Sequence, residues 1–557
     1  MITMQGKGVS CGIAMGTVRI LTRDEINVKR IRVEDTVAEI KRYRIAKEKA
    51  LAQLNELYKQ ALKDLGEEDA LIFGMHCMML EDPDYNNSVE GIIRRQSVNA
   101  EYAVSLTTEN LHRLFDVMED DYIRERAADV QDVSRRVLSC LTYRAVESRP
   151  AAVVKDTVIC ADDLSPSETV QLDRNNVIAF CTARGSATSH TAILARNIGI
   201  PAVTCLGDGL LRINDGDEII VDGGSGMVYV NPDEVTRAAM SAKRDEDIRR
   251  KHRLHALRDR DNITQDGHRI NIYANISGVE DIPAALENGA GGIGLLRSEF
   301  LYLDRKEAPS EEEQLEIYRA ALEKMNGKRV IIRTLDIGAD KQAKCFRHEQ
   351  EENPALGIRG IRFCFAHPEI FRIQLRALLR ASVYGKLAIM FPMISSLEDI
   401  RMSKAVMAQV KRELEQQGIP YCKDVEIGVM IETPGSVLIS DLLAREVDFF
   451  SIGSNDLTQY TLAADRQNPY LEQYFNTRHI ALLRMIRIAA DNAHRNGAWI
   501  GICGELAADT SLTETFLAMG IDELSVSSPS ILPLREKVIS LDLSRKERIL
   551  AEIGTGV

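Results

Sequence analysis

From residue 269 onward, eight short apolar runs recur with helix-patterned segments between them: RINIYANI, GGIGLLRS, RVIIRTLD, KLAIMFPMI, VEIGVMIE, VDFFSIGS, WIGICGE and ELSVSS. Eight strand–helix units in roughly 250 residues predict a (β/α)8 barrel, whose chemistry lies at the C-terminal ends of its strands. At 557 residues the chain is too long for that core alone, so further domains are expected.

The first half divides by pattern. GKGVSCGIAMGTVRI, residues 6 to 20, reads as a strand with tight turns, and β-type runs return at 153–164, 175–180 and 218–230. Between them, Leu51, Leu54, Tyr58, Leu62 and Leu65 repeat at helical spacing, and Gly66 is placed to end that helix. The expected organisation is an α/β domain over 1–20 and 147–231, with a helical bundle inserted at 21–146. A connecting helix at 232–261, capped by Asn231 and Pro232, then leads into the barrel at 262–557.

A net charge of −13 repels a phosphate backbone and argues against nucleic-acid binding. No apolar run reaches the roughly 20 residues of a membrane span, and the N-terminus has no signal-peptide pattern, so a cytoplasmic protein without a membrane partner is expected. Ten cysteines without a CxxC pair predict reduced thiols.

The polar residues at the barrel strand ends are Arg297, Arg333, Glu432, Asn455, Asp456 and Cys503, with Glu505 just beyond. Each alone is compatible with a rim salt bridge; together they suggest a ligand site. Arginine's fork of donors matches phosphate and carboxylate oxygens, so Arg297, Arg333, Arg359 and Arg466 suit a ligand bearing both groups. Glu432 and Asp456 either balance those arginines or supply the hard oxygens that Mg²⁺ takes beside a phosphate. Cys503 is either a buried structural thiol or a proton donor to an enolate carbon.

In GSATSHTAILARNIGIPAV, residues 185 to 203, His190 stands at the start of a short amphipathic segment. A histidine among apolar residues is commonly a packed core residue. At a helix N-terminus, however, free amides and the helix dipole stabilise a phosphoryl group on the imidazole.

The motifs TSHTAILAR, GLLRSEFLYLDR, RTLDIGADK, ENPALGIRGIR, GVMIETP, DFFSIGSNDLTQYTLAADR and GICGELAAD resemble enzyme I of the bacterial sugar phosphotransferase system, over nearly the whole chain. The resemblance implies that phosphoenolpyruvate and Mg²⁺ bind in the barrel, that His190 takes the phosphoryl group, and that the carrier protein HPr receives it while pyruvate leaves. It implies that Arg297, Arg333, Asn455, Asp456 and Arg466 bind phosphoenolpyruvate, with Lys341 and Arg359 in support. Glu432 and Asp456 would ligate Mg²⁺, and Cys503 would protonate the enolate. A homodimer through the barrel is also implied, as is an HPr-docking role for the inserted helices, where Met75, Met78, Met79 and Leu80 form either core or a docking ridge. Pyruvate phosphate dikinases and phosphoenolpyruvate synthases share two of these domains but add an ATP-grasp domain for which this chain has no room. One departure stands out: the family pattern GGRTSH reads GSATSH here, placing Ala187 where an arginine is expected.

Overall fold

The computed structural model describes the chain except residues 22–27, 65–66, 117–120, 143–154, 165, 171–175, 186–191, 193–194, 197–198, 304, 306, 339–342, 344, 347–350 and 556–557. It separates into two compact units, Met1–Arg249 and Arg250–Val557.

The first unit carries an eight-stranded sheet. Its strands are Ile2–Gln5 (β1), Lys7–Ser10 (β2), Ile13–Leu21 (β3), Thr157–Ala161 (β4), Val177–Thr182 (β5), Ala202–Thr204 (β6), Glu218–Asp222 (β7) and Met227–Val230 (β8). The order is β1-β8-β7-β3-β4-β5-β6-β2. The segment read as one long opening strand therefore supplies β2 at an edge and β3 in the middle, where it pairs parallel with β4 and antiparallel with β7. Among the described residues, five helices fill the interval between β3 and β4, beginning with the 29-residue Thr36–Asp64. Within them Leu80 is buried, whereas Met78 is 72% exposed, so the methionine-rich segment is partly core and partly surface.

The long helix starts later than expected. It spans Glu234–His255, and its cap is Asp233, whose Oδ1 accepts from Thr236 N at 2.8 Å. Asn231 instead takes φ 48° and donates to Asp217 Oδ1 at 3.0 Å, a bend that asparagine tolerates better than most residues. No residue of this helix is buried, as its charged sequence requires.

The second unit is the barrel. All eight runs form strands: Asn271–Ile276 (β9), Ile293–Arg297 (β10), Arg329–Arg333 (β11), Lys386–Phe391 (β12), Glu426–Ile431 (β13), Phe449–Gly453 (β14), Trp499–Cys503 (β15) and Glu523–Val526 (β16). They pair in parallel and close β16 onto β9. Capping boxes at Ser310 with Glu313 and at Ser396 with Asp399 start two of the crossover helices by satisfying their free amides. The lumen is filled by Leu295, Ile331, Ala388, Met390, Met430, Phe449 and Cys503. Gly428 lacks a Cβ where the Phe449 ring passes, since a methyl there would come within 2.3 Å of it.

Glu523, at the N-terminal end of β16, is also buried, and burial pushes its carboxyl up to about 8. The folded chain keeps this proton while the unfolded chain loses it above about pH 4.3, so the group costs stability as pH rises from about 4 to 8. Glu523→Gln is expected to remove that cost, worth up to about 5 kcal/mol at 1.36 kcal/mol per pH unit. The measurement is the barrel's denaturation midpoint at pH 5 and pH 8; an unchanged slope between them would count against the buried acid.

No helix among the described residues is long and apolar enough to cross a membrane. All ten cysteines are free thiols.

Candidate active site at the C-terminal rim of the barrel

Each candidate stands where a strand hands over to its loop. Arg297, Arg333 and Cys503 are the last residues of β10, β11 and β15, and Arg297 is in register with Arg333. Glu432 directly follows β13. Asn455 and Asp456 lie in the first turn of the helix Ser454–Leu462, which begins as β14 ends.

A chain of alternating charges ties the rim together. Arg333 is 4% exposed; its Nη2 donates to Glu299 Oε1 at 2.6 Å and lies 3.1 Å from Asp336 Oδ2. Arg359, 1% exposed, sits between two carboxylates. It donates to both oxygens of Asp336 at 3.2 Å, and to those of Asp456 at 2.8 and 3.1 Å. Arg466 Nη1 stands 4.0 Å from Asp456 Oδ1 and lines a cavity of about 550 Å³ with Gln459 and Tyr460. Burial works against the charge on Arg333, but Glu299, Asp336 and Glu432 outweigh it and hold the guanidinium charged.

Several buried polar atoms face no protein partner among the described residues. Glu432 is fully buried; Oε1 accepts from the Met393 amide, and Oε2 has nothing to accept from. Burial, with Asp456 and Asp336 nearby, raises its carboxyl well above the usual carboxylate range despite Arg359 and Arg333. Gly453 leaves the space that Glu432 occupies, for a Cβ there would lie 2.9 Å from the Glu432 Cβ. Arg297 donates to Ser277 Oγ at 2.6 Å and lies over the Phe300 ring at 4.8 Å, yet its Nε is unpartnered, as are Arg333 Nε and Asn455 Oδ1. An unmet buried polar group costs about 1 to 3 kcal/mol, so a cluster of them suits a polar ligand. Cys503 is buried at 3% exposure, its thiol donates to Ile452 O at 3.5 Å, and burial pushes it up to about 12. At neutral pH it holds its proton.

Three family models match the chain. The PEP-utilising enzyme N-terminal domain covers residues 5–126, the mobile domain 153–226, and the PEP-binding domain 251–543. A phosphoenolpyruvate-protein phosphotransferase of Staphylococcus carnosus is 41% identical over 546 residues, 98% of this chain and 95% of that protein. Those of Bacillus sp. (strain S) and Bacillus subtilis are 42% and 40% identical. They cover 99% and 98% of this chain, and 96% and 97% of their own lengths. The chain belongs to the phosphoenolpyruvate-protein phosphotransferase family.

Within this phosphotransferase-family rim, Arg297, Arg333, Glu432, Asp456 and Cys503 stand at or just past the strand ends, and Arg466 approaches Asp456 from the loop after Ser454–Leu462. Arg359, expected in support of the ligand-binding arginines, is tied to two carboxylates of the rim. Its donors are taken by Asp336 and Asp456, because a buried guanidinium needs protein carboxylates around it, so it braces the site. His190, Ala187 and Lys341 lie outside the described residues. Sequence reading passed over Glu299 and Asp336: Asp336 follows Arg333 by three residues and was legible as its counter-ion, whereas Glu299 follows Arg297 yet pairs with Arg333 across the rim.

The carboxylates also suit a hard cation. Among the described residues no group of three His, Cys, Asp or Glu side chains is arranged to hold a metal alone. The free Oε2 of Glu432, close enough to Asp456 for the two charges to interact, instead fits an ion that takes its remaining oxygens from substrate and water, as Mg²⁺ does.

Proposed function

We propose that the chain transfers the phosphoryl group of phosphoenolpyruvate to His190 and then to a histidine of HPr, releasing pyruvate as the first step of sugar phosphotransfer in the cytoplasm. The observation that carries this reading is the rim itself. Two partly unpartnered strand-end arginines, a buried carboxylate with a free oxygen and a protonated thiol meet in a chain of this family.

Arg297 and Arg333 hold the phosphate and carboxylate of phosphoenolpyruvate, with Asn455 and Arg466 completing the grip and Lys341 adding charge. Asp336 and Arg359 keep Arg333 and Asp456 in position. Glu432 and Asp456 would hold Mg²⁺, which supplies Lewis-acid neutralisation of phosphate charge. A His190 nitrogen attacks phosphorus, the P–O bond to the enol oxygen breaks, and the enolate takes the bond's electron pair. Cys503 then gives its proton to the methylene carbon, forming pyruvate, and the thiolate recovers a proton from water. A thiol that holds its proton to about pH 12 suits this role, because it remains an acid throughout the working range.

The domain bearing His190 moves between the barrel and HPr, which docks on the inserted helices near exposed Met78. A dimer through the barrel fits exposed Leu438, Leu442 and Ile488 on its outer helices; light scattering across a concentration series measures it.

Radiolabelled phosphoenolpyruvate, Mg²⁺ and HPr are expected to give acid-labile label first on the chain and then on HPr, with equimolar pyruvate. A chain that stays unlabelled overturns the proposal. Cys503→Ala is expected to slow pyruvate release roughly 10²- to 10⁴-fold, the range for a lost general acid. A coupled dehydrogenase assay reads it, and a change under threefold would remove Cys503 from the chemistry.

A further inference from the structure

The end of the barrel opposite the rim carries a cavity of about 640 Å³ that the phosphotransfer chemistry does not use. Its walls come from the N-terminal ends of the strands: Asn271 begins β9, Gly291 precedes β10, and Lys328 directly precedes β11. Six cations line it, namely Arg258, Arg260, Arg269, Lys324, Lys328 and Arg535, against two carboxylates, Asp259 and Asp261. Six against two leaves a net charge of +4 in one concavity of a chain whose own net charge is −13.

The charges in this cavity are poorly answered by the protein. Arg535 is 3% exposed, yet among the described residues its guanidinium meets no carboxylate within ion-pair distance. Nη1 donates to the carbonyls of Leu257 and Arg258, Nη2 to Gly289 O at 2.6 Å and Nε to Asn262 Oδ1 at 2.7 Å. Lys328 Nζ donates to a carbonyl as well, Ala290 O at 2.7 Å, and Lys324 Nζ reaches only Val279 O at 3.5 Å. The Arg258 and Arg260 side chains make no hydrogen bond or ion pair among the described residues. Among the described residues only Arg269 of the six makes an ion pair, with Asp261 at 3.3 Å, while Asp259 and Asp261 act on Arg535 at longer range.

Arg535, the one buried cation of the six, is held by carbonyl and amide oxygens alone and keeps a large desolvation cost, and the more exposed cations crowded around it add repulsion. Burial, joined by Arg535 and Arg258, accordingly lowers the Lys328 pKa from its ordinary value. The geometry is built for this crowding. Gly289 adopts φ 73°, and a Cβ there would lie 2.3 Å from Arg258 O and 2.7 Å from Arg535 Nη1. Only glycine lets Arg535 close under the cavity. A concavity with low-dielectric walls focuses such a field outward and raises the local concentration of anions.

We propose that this cavity is a second anion site, distinct from the phosphoenolpyruvate rim, that takes a small multivalent phosphate-type anion. Arg258, Arg260 and Lys328 would make the charge-assisted contacts, while Arg535 would hold the floor and contribute its charge. The volume admits a di- or triphosphate group or a phosphorylated small metabolite, and these share the chemistry that the cations read.

The test uses the full chain and inorganic pyrophosphate in Mg²⁺-free, chelated buffer, with calorimetry as the readout. One saturable site is expected, weakened at least tenfold in Arg258→Ala/Arg260→Ala and in Lys328→Met, and unchanged in Arg297→Ala at the other end of the barrel. Because the Arg258 and Arg260 side chains brace nothing, the double variant is expected to keep its melting temperature and its phosphotransfer to HPr. Saturable binding absent from the unmodified chain, equal binding in the cavity variants, or loss of binding in Arg297→Ala would each overturn the proposal. Repeating the titration with a phosphorylated sugar and with a triphosphate separates the two sources of the anion.

Discussion

The His190→Ala chain is expected to take no acid-labile label from phosphoenolpyruvate and to pass none to HPr, while still binding phosphoenolpyruvate with Mg²⁺ at the wild-type affinity. The separation follows from where the groups lie in the sequence. Every strand-end group of the rim belongs to the second unit, Arg250–Val557, whereas His190 belongs to the first. An alanine at 190 removes the nucleophile and leaves the Arg297, Arg333, Glu432 and Asp456 rim untouched. Calorimetry for binding and gel autoradiography for label read the two halves separately. Label that survives in His190→Ala places the carrier on another residue; binding lost together with label ties His190 to the substrate site instead. Ala187, standing where the family pattern has an arginine, makes a companion experiment. Ala187→Arg supplies a cation three residues before the phosphorylated imidazole and is expected to lengthen the half-life of the labelled chain.

Asp336→Asn is expected to be the most damaging single change within the barrel. Asp336 is fully buried, accepts two hydrogen bonds from Arg359 and lies 3.1 Å from Arg333. Taking away its charge leaves two buried guanidiniums with one carboxylate fewer, and breaking such a pair typically costs about 3 to 5 kcal/mol. The barrel's unfolding midpoint in urea reads that loss, and a cost under about 1 kcal/mol would show that Asp456 and Glu299 suffice. Phosphoenolpyruvate binding is expected to weaken as well, because Arg333 then keeps only Glu299 as an ion-pair partner among the described residues. Asp336 also raises the Glu432 carboxyl, so its removal lets Glu432 ionise at lower pH; the pH dependence of Mg²⁺ affinity is expected to move downward with it.

The barrel was legible because its evidence is local. Each strand declares itself in four to six consecutive residues, such as RVIIR or EIGVMI, and the parallel fold needs only that such runs recur with helices between them. Strand ends then follow from strand positions, which is why Arg297, Arg333, Glu432, Asp456 and Cys503 were readable without coordinates. The short β6, Ala202–Thr204, had no run to announce it; it gains its place by pairing with β5 and β2. The start of the long helix was misread at Asn231 because Pro232 resembles a first helical residue, whereas the side chain that meets the free amides belongs to Asp233.

By itself, the sequence determined the eight-stranded barrel, the residues at its rim and the family. Only the tertiary structure decided which charges answer one another. Arg359 meets Asp456 across 97 residues of chain, and Arg333 meets Glu299 across 34. Protonation was likewise decided by packing, since burial lifts the Cys503 thiol to about 12 and the Glu523 carboxyl to about 8. The physical reason is one of range. Periodicity is written in neighbouring residues, whereas desolvation and charge pairing depend on whatever the fold brings close, and no stretch of sequence contains that information.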